Sequence, residues 1–342
     1  MVALRWLALS CYIASSAALR NCALVFLKPH AANDKCEAFV RSHLANAGID
    51  VVASGEKRGD EIDRLKLIDQ HYGSLATLAM NTEPADIALQ PAARTAFAEA
   101  YGVEWEDALG LMMRNDKALE SLGVDGTTLE GMWRGGKQVK LAPGTYVSRL
   151  DLEEGKKPLY TVNGFYPAMR QAFVEPTAEV RYMVCEWDEA ELSWSAFRQQ
   201  CIGATNPAQA VAGSARAELL ARWQELGLAS EPTQGLNGVH ASAGPLEGLK
   251  ERCVWAGATI ETDDFGSRLL AGGLERSTLD AWLDGNPVVT LGGETDKVFD
   301  LTEELGAGAV LELVQPAAEP STVASAGDGG LAPAGFVWGN TY

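Results

Sequence analysis

The run Ala23-Leu24-Val25-Phe26-Leu27 is apolar without interruption and stops at Lys28-Pro29. A strand with one face in water alternates apolar and polar residues, so an unbroken run predicts a strand covered on both faces, inside a sheet. Proline lacks a backbone donor and ends the pairing, which leaves Lys28 at the strand's C-terminal edge. Asp34 is expected to cap the helix that follows, whose stripe Cys36, Phe39, Val40, Leu44 and Ala47 recurs at helical spacing up to Gly48. Ile49-Asp50-Val51-Val52 then reads as a second strand, and Val180-Arg181-Tyr182-Met183-Val184-Cys185-Glu186-Trp187 as a third.

A last strand enters His240, and helices are expected near residues 194–202 and 245–255. The order βαββαβ predicts an α+β fold on the ferredoxin-like plan, an antiparallel sheet of four strands backed by helices. Two stretches fall outside it. Residues 81–160 change to helical runs containing Trp105, Ala108, Leu109, Met112 and Leu119, with a β-rich piece around Tyr146-Val147-Ser148 and Leu159-Tyr160-Thr161, and so predict a largely helical insertion. Residues 258–314 predict a small helical extension, in which Ser277-Thr278-Leu279-Asp280 has the chemistry of a capping box with Asp in place of Glu. Residues 315–342, rich in Ala, Gly, Pro and Ser, are expected to be disordered.

Residues 1–18 have a short positive start, an apolar stretch and small residues at their end, which predicts a signal peptide and a main domain over 19–257. The apolar run is too short for a membrane span, and no other span is expected after leader removal. A used leader sends the chain to the secretory pathway or an organelle, the plastid route included; a misplaced start codon leaves a cytoplasmic enzyme. None of the ten asparagines begins an Asn-x-Ser/Thr sequon, which weighs against an extracellular life. Five cysteines follow the leader, an odd number without metal-ligand spacing, and read as packing residues. With 28 basic against 46 acidic residues, the formal charge is −18, which argues against nucleic acid or an anionic membrane as a partner.

Chemistry concentrates in Asn237-Gly238-Val239-His240-Ala241-Ser242 and in Glu251, eleven residues past the histidine. A nucleophilic imidazole needs one neutral nitrogen and a partner that fixes the proton on the other, and Glu251 is placed to be that partner. A helix from Pro245 puts Glu247 and Glu251 on one face, four residues apart. Upstream lie Gly203-Ala204-Thr205-Asn206-Pro207 and Arg216, and Lys28 ends the first strand. Lysine, arginine and hydroxyl side chains are what a phosphoryl group requires, because its transfer depends on positioning and charge stabilisation.

Together these residues resemble the nucleoside diphosphate kinases, whose landmarks are Lys-Pro, Gly-x-Thr-Asn-Pro, an arginine, and Asn-x-x-His-x-Ser, in that order. The resemblance covers residues 22–80 and 160–257 and omits 81–160 and everything past 257; longer algal and protist members with an insertion and a C-terminal addition look similar. It implies that His240 is phosphorylated, with Glu251 and Ser242 holding its geometry and Tyr72 lining the pocket. It also implies nucleotide contacts from Lys28, Thr205, Arg216 and Asn237, with Phe165 stacked on the base, which is tolerant of base identity. The partners implied are nucleoside triphosphates and diphosphates, the cofactor is nucleotide-bound Mg²⁺ without a protein metal site, and relatives' symmetric assemblies leave a homo-oligomer open.

The chain also departs from that family. The second phosphate-binding arginine belongs four residues before Gly203, where Gln199 stands; Arg198 lies one residue earlier, so a one-residue bulge restores it, and without one the slip of a single helical position, about 100°, turns it away. His30 follows Lys28-Pro29, Ala212 replaces a proline, and Arg216 to Asn237 is twenty-one residues instead of about ten, which predicts an extra helical piece over 217–227. His43 and His71 read as packing residues, His30 as a structural hydrogen-bonding group with assistance at the phosphates as the alternative, and Glu247 as a solvated helix residue, while Phe165 has a core reading beside the stacking one. The alternative to an enzyme is a nucleotide-binding or scaffolding domain with weak turnover, which the glutamine at 199 favours.

Overall fold

The computed structural model describes residues 19–314 except 143, 153 and 154, so the expected leader and disordered tail lie outside the described residues. Strand β1 (Arg20–Leu27) is followed by α1 (Asp34–Asn46), β2 (Asp50–Arg58) and three short helices, α2 (Gly59–Leu65), α3 (Leu67–Tyr72) and α4 (Ser74–Met80). Next come α5 (Pro91–Tyr101), α6 (Trp105–Ala108), α7 (Asn115–Leu122) and α8 (Gly126–Gly135), then β3 (Gln138–Ala142), β4 (Thr145–Leu150) and β5 (Leu159–Val162). The chain returns through α9 (Tyr166–Val174) to β6 (Glu179–Asp188). A helical segment then begins as α10 (Trp194–Ala196), continues as a π-helix over Phe197–Ile202, and leads to α11 (Ala215–Ala221), β7 (Val239–Ala241) and α12 (Pro245–Ala256).

The architecture mixes helices with antiparallel sheets. The main sheet has the order β2-β6-β1-β7, every neighbouring pair antiparallel. Strand β1 is internal, as its apolar run predicts. Ala23, Val25 and Leu27 join one core with Val40 and Leu44 of α1 and with Trp187, Trp194 and Phe197. Leu24 and Phe26 join the other, with Ile62, Ile68, Phe173 and Trp255. Successive strand side chains face opposite ways, so helices on both faces require apolar residues at every position. Each fully buried Leu, Val or Phe contributes about 1.5–3 kcal/mol, so a polar residue anywhere in the run would be felt.

Helix α1 is capped by Asn33, not Asp34: the Asn33 side chain accepts from the amides of Lys35 and Cys36. The expected helical piece over 217–227 is helical only as far as Ala221; beyond it, turns carry Leu226 and Leu228 into the core beside α1.

The insertion has two cores of its own and is less helical than expected, because β3, β4 and β5 form a three-stranded antiparallel sheet that packs with α5 and α6. Its second core reaches outside 81–160, joining Ala76 and Ala79 of α4 to Trp133, Phe165 and Tyr166. The C-terminal extension contains α13 (Asp264–Ala271), α14 (Arg276–Gly285), α15 (Val298–Thr302) and α16 (Ala307–Val314), which pack on Leu246 and Leu249 of α12. It is not wholly helical. A hairpin of β8 (Val288–Leu291) and β9 (Glu294–Lys297) turns at Gly292 and Gly293, both at positive φ, as a tight two-residue turn requires. The expected capping box is absent: α14 starts at Arg276, which places Ser277 and Thr278 inside the helix and leaves Asp280 to pair with the Arg276 guanidinium.

Candidate functional site

Strand β7 is three residues long, and the way it is entered fixes His240. Gly238 sits at φ +82°, and a Cβ there would fall 2.7 Å from Leu219 Cδ1, so both backbone and space demand glycine. The Gly238 carbonyl accepts from the Lys28 amide at 2.9 Å, and its N–H donates to His30 Nε2 at 3.0 Å. His30 therefore ties the end of β1 to the start of β7, a structural role. Register pairs Phe26 with His240, and their rings stack at 4.6 Å.

The His240 ring, 8% exposed, meets Glu251 of α12 with Nε2 and Oε1 2.7 Å apart. The Ser242 hydroxyl donates to the other carboxylate oxygen at 2.5 Å and accepts from the Leu24 amide at 2.8 Å, so Glu251 is anchored to β1 through Ser242. Burial holds the imidazole far below its usual range, and the charges of Lys28, Arg216 and Arg198 add to that. The neutral ring donates through Nε2 when Glu251 is ionised, which leaves its lone pair on Nδ1; burial raises the Glu251 carboxyl, and His71 and the Ser242 hydrogen bond oppose that rise.

Lys28, at the end of β1, is 7% exposed and pushed down to about 7, by burial first and by Arg216 second. Arg216, also 7% exposed, donates to the carbonyls of Gly203 and Val239 and falls to about 10, by burial and by Arg198. Among the described residues neither cation has an ion pair. Gly203, at φ +92°, lets this turn close: a Cβ there would lie 2.3 Å from Ser214 Oγ. Asn237, fully buried, donates to the carbonyls of Thr205 and Gln234, and its Oδ1 has no partner among the described residues. The half-buried Thr205 thereby stands against the loop that carries the histidine.

The one-residue bulge needed between Arg198 and Gly203 is present. The π-helix closes with the Gly203 amide donating to the Arg198 carbonyl at 2.9 Å, five residues back, which adds one residue to the helical turn. Arg198 is half-buried and near enough for its charge to act on His240, while Gln199 is exposed. The Arg198 guanidinium is nevertheless engaged by Glu303 and Glu304 of the C-terminal extension.

Phe165 does not offer a stacking face. It is 5% exposed and packs edge-on against Trp133 in the insertion core, with the ring centroids 5.4 Å apart, so the core reading replaces the base-stacking one. Tyr72 is one ring removed from the histidine, edge-on to His71 at 4.8 Å, and its hydroxyl is pushed up by burial and by Glu251 and Glu247.

Two residues that the sequence assigns to packing or solvent belong to the site. His71 lies edge-on to His240 at 4.6 Å, with its Nδ1 3.4 Å from Glu251 Oε1 and pointed at by the Trp255 indole N–H; burial pushes it down to about 3. Its signal was the neighbouring Tyr72. Glu247 is half-buried and engaged: it accepts from the Ala243 amide and is raised to about 8 by burial and by Glu251. Its spacing from Glu251 puts both on one helix face, and the sequence alone does not show that this face turns toward the histidine strand. His71, His240 and Glu251 also form the one group of potential metal ligands found among the described residues, with ligand atoms within 4.8 Å of one another. The Nε2–Oε1 separation of 2.7 Å is that of a hydrogen bond. Among the described residues no helix is long and apolar enough to cross a membrane.

No protein-family model matches this chain, and no curated protein matches it either. Solved structures with some likeness include the nucleoside diphosphate kinase of Encephalitozoon cuniculi, at 14% identity over 71% of this chain and 92% of that one, TM-score 0.34. An NDP kinase from Pyrobaculum aerophilum has 16% identity over 69% and 96%, TM-score 0.34. A nucleoside diphosphate kinase family protein from Babesia bovis has 13% identity over 72% and 97%, TM-score 0.34. At these values the likeness says nothing of function, which has to come from the residues at the site.

Proposed function

We propose that this chain is a phosphotransferase, on a domain of ferredoxin-like plan, that moves the γ-phosphate of a nucleoside triphosphate to a nucleoside diphosphate through a phosphohistidine at His240. One observation carries this: a neutral histidine tied through Nε2 to Glu251 lies beside two buried cations, Lys28 and Arg216, that have no ion pair among the described residues. A buried charge without a counter-charge is destabilising, and an anionic ligand removes that penalty.

The Nδ1 lone pair attacks the γ-phosphorus. The N–P bond forms as the bond from phosphorus to the bridging oxygen breaks, and the diphosphate leaves with that electron pair. Glu251 offsets the positive charge that develops on the ring, and Ser242 keeps the carboxylate from turning. Lys28 and Arg216 offset charge on the phosphate oxygens, and Thr205, Asn237 and Arg198 complete the contacts to the nucleotide. A second diphosphate then takes the group by the reverse of these steps, which gives ping-pong kinetics. Magnesium belongs to the nucleotide substrate: the His71, His240 and Glu251 set is nitrogen-rich and internally hydrogen-bonded, unlike the oxygen ligands this ion takes.

Incubation with γ-labelled ATP tests the proposal. The expected label is acid-labile, base-stable and chased onto GDP, and His240→Ala lowers exchange on the order of 10⁴-fold. Exchange that survives in that variant overturns the mechanism. A second reading, a nucleotide-binding or scaffolding domain with weak turnover, is favoured by the engagement of Arg198 with Glu303 and Glu304. Thermal stabilisation by nucleotide without any label selects that reading.

A further inference from the structure

The C-terminal extension reaches the candidate site where α15 gives way to the following turn. Where α15 ends, the chain runs against the segment that follows His240: the Glu304 amide donates to the Ala243 carbonyl at 2.9 Å, and the Thr302 carbonyl lies 2.6 Å from where a Cβ on Gly244 would stand. Gly244 is thus required for the contact. Glu304 adopts φ +59°, a left-handed conformation that residues with a side chain rarely take, and in it the carboxylate turns toward the π-helix.

That carboxylate is gripped by three kinds of donor. Glu304 Oε2 accepts from the Ser195 hydroxyl at 2.8 Å and from the Gln199 amide at 3.1 Å, and Oε1 pairs with Arg198 Nη1 at 3.2 Å. Glu303 Oε1 pairs with the same guanidinium nitrogen. A guanidinium, an amide and a hydroxyl converging on anionic oxygens is also how a phosphate group is held. Arg198 is the one cation of the set already matched by acid, in contrast to Lys28 and Arg216.

We propose that Glu303 and Glu304 form an intramolecular latch that occupies Arg198 in place of a nucleotide phosphate, so that nucleotide binding and docking of the Thr302–Leu305 segment compete. This rests on the His240 site being a nucleotide site. The closed latch sets Glu303 near enough to Glu247 for its charge to push that carboxyl up, so lifting the segment relieves this repulsion while a phosphate takes its place on Arg198. The device is absent from the 22–80 and 160–257 stretches that carry the site residues, because its acids lie some fifty residues past Glu251.

The full chain, with Glu303→Gln and Glu304→Gln combined, is titrated with Mg·ADP by calorimetry beside the natural chain, with and without Arg198→Ala. The expected result is an affinity gain of about tenfold in the double-glutamine variant, or about 1.4 kcal/mol, that disappears once Arg198 is also removed. Equal binding by the natural chain and the double variant overturns the latch and leaves the nucleotide site standing; a gain that survives Arg198→Ala also overturns it. Binding by neither protein sinks the latch together with the proposed function. Hydrogen exchange on the natural chain needs no variant: saturating Mg·ADP is expected to speed exchange of the Glu304 amide as the segment lifts, and unchanged or slower exchange counts against the latch.

Discussion

Arg170, half-buried on α9 over the α2 and α3 side of the sheet, and Arg216, buried on α11 next to the histidine strand, are two cations in different settings. Arg170 donates through Nε to Asp69 and through Nη2 to Asp63, while the Tyr166 hydroxyl donates to Asp69 as well; these acids raise its pKa. Among the described residues, the hydrogen-bond partners of Arg216 are backbone carbonyls, and its pKa is pushed down to about 10. The first is a cation whose charge is answered within the protein, so its work is to join α9 to α2 and α3. The second retains an unanswered charge in a buried place, and an anion from outside is what completes it.

Substitution separates the two. Arg216→Met is expected to lower kcat/KM for phosphotransfer by about 100-fold, because an oriented cation at the developing charge is lost. Its thermal midpoint should hold or rise, since a buried, unpaired charge is replaced by an apolar side chain. A large fall in stability with unaltered turnover would reverse the assignment. Arg170→Met is expected to behave oppositely, costing about 1–2 kcal/mol of stability for a partly exposed pair of ion pairs while leaving chemistry at His240 nearly unchanged. Chemical denaturation reads that loss directly, and a selective loss of turnover in a fully stable Arg170 variant would erase the contrast.

The smallest effect is a proton. Lys28 has its pKa pushed down to about 7, so at pH 8 most molecules carry it neutral. An anion bound beside it favours the charged form and raises the value again. Binding of Mg·ADP at pH 8 is therefore expected to take up a large fraction of one proton through Lys28, little of which remains at pH 6, and affinity should weaken as pH rises above 7. Calorimetry in buffers of different ionisation enthalpy measures this. No proton uptake at pH 8 would mean that Lys28 does not meet the ligand.

Much of this was legible along the chain, and the reasons differ by residue. Leu24 and Val25 announced a strand buried on both faces because a pleated strand must alternate its side chains, so the rule is local. His240, Ser242 and Glu251 were legible because a short strand, a turn and one helix connect them within twelve residues. The α1 cap slipped by one residue because Asn33 and Asp34 have almost the same capping chemistry, and the backbone conformation at Asn33 decides between them. Phe165 misled for a different reason: an aromatic beside a glycine suits a base and a core equally, and Trp133 of the insertion decides which. The hairpin at Gly292 and Gly293 had its turn signal in the sequence, but the surrounding residues alternate too weakly for it to stand out.

By itself the sequence determined the antiparallel α+β framework and the meeting of His240 with Glu251, because strand periodicity, helix stripes and short chain separations act through neighbours. Only the tertiary structure decided that Lys28 and Arg216 are buried without acids, that a π turn brings Arg198 inward, and that Glu303 and Glu304 arrive to meet it. Burial and charge matching depend on which distant segments close over a side chain, and no local pattern in the chain encodes that closure.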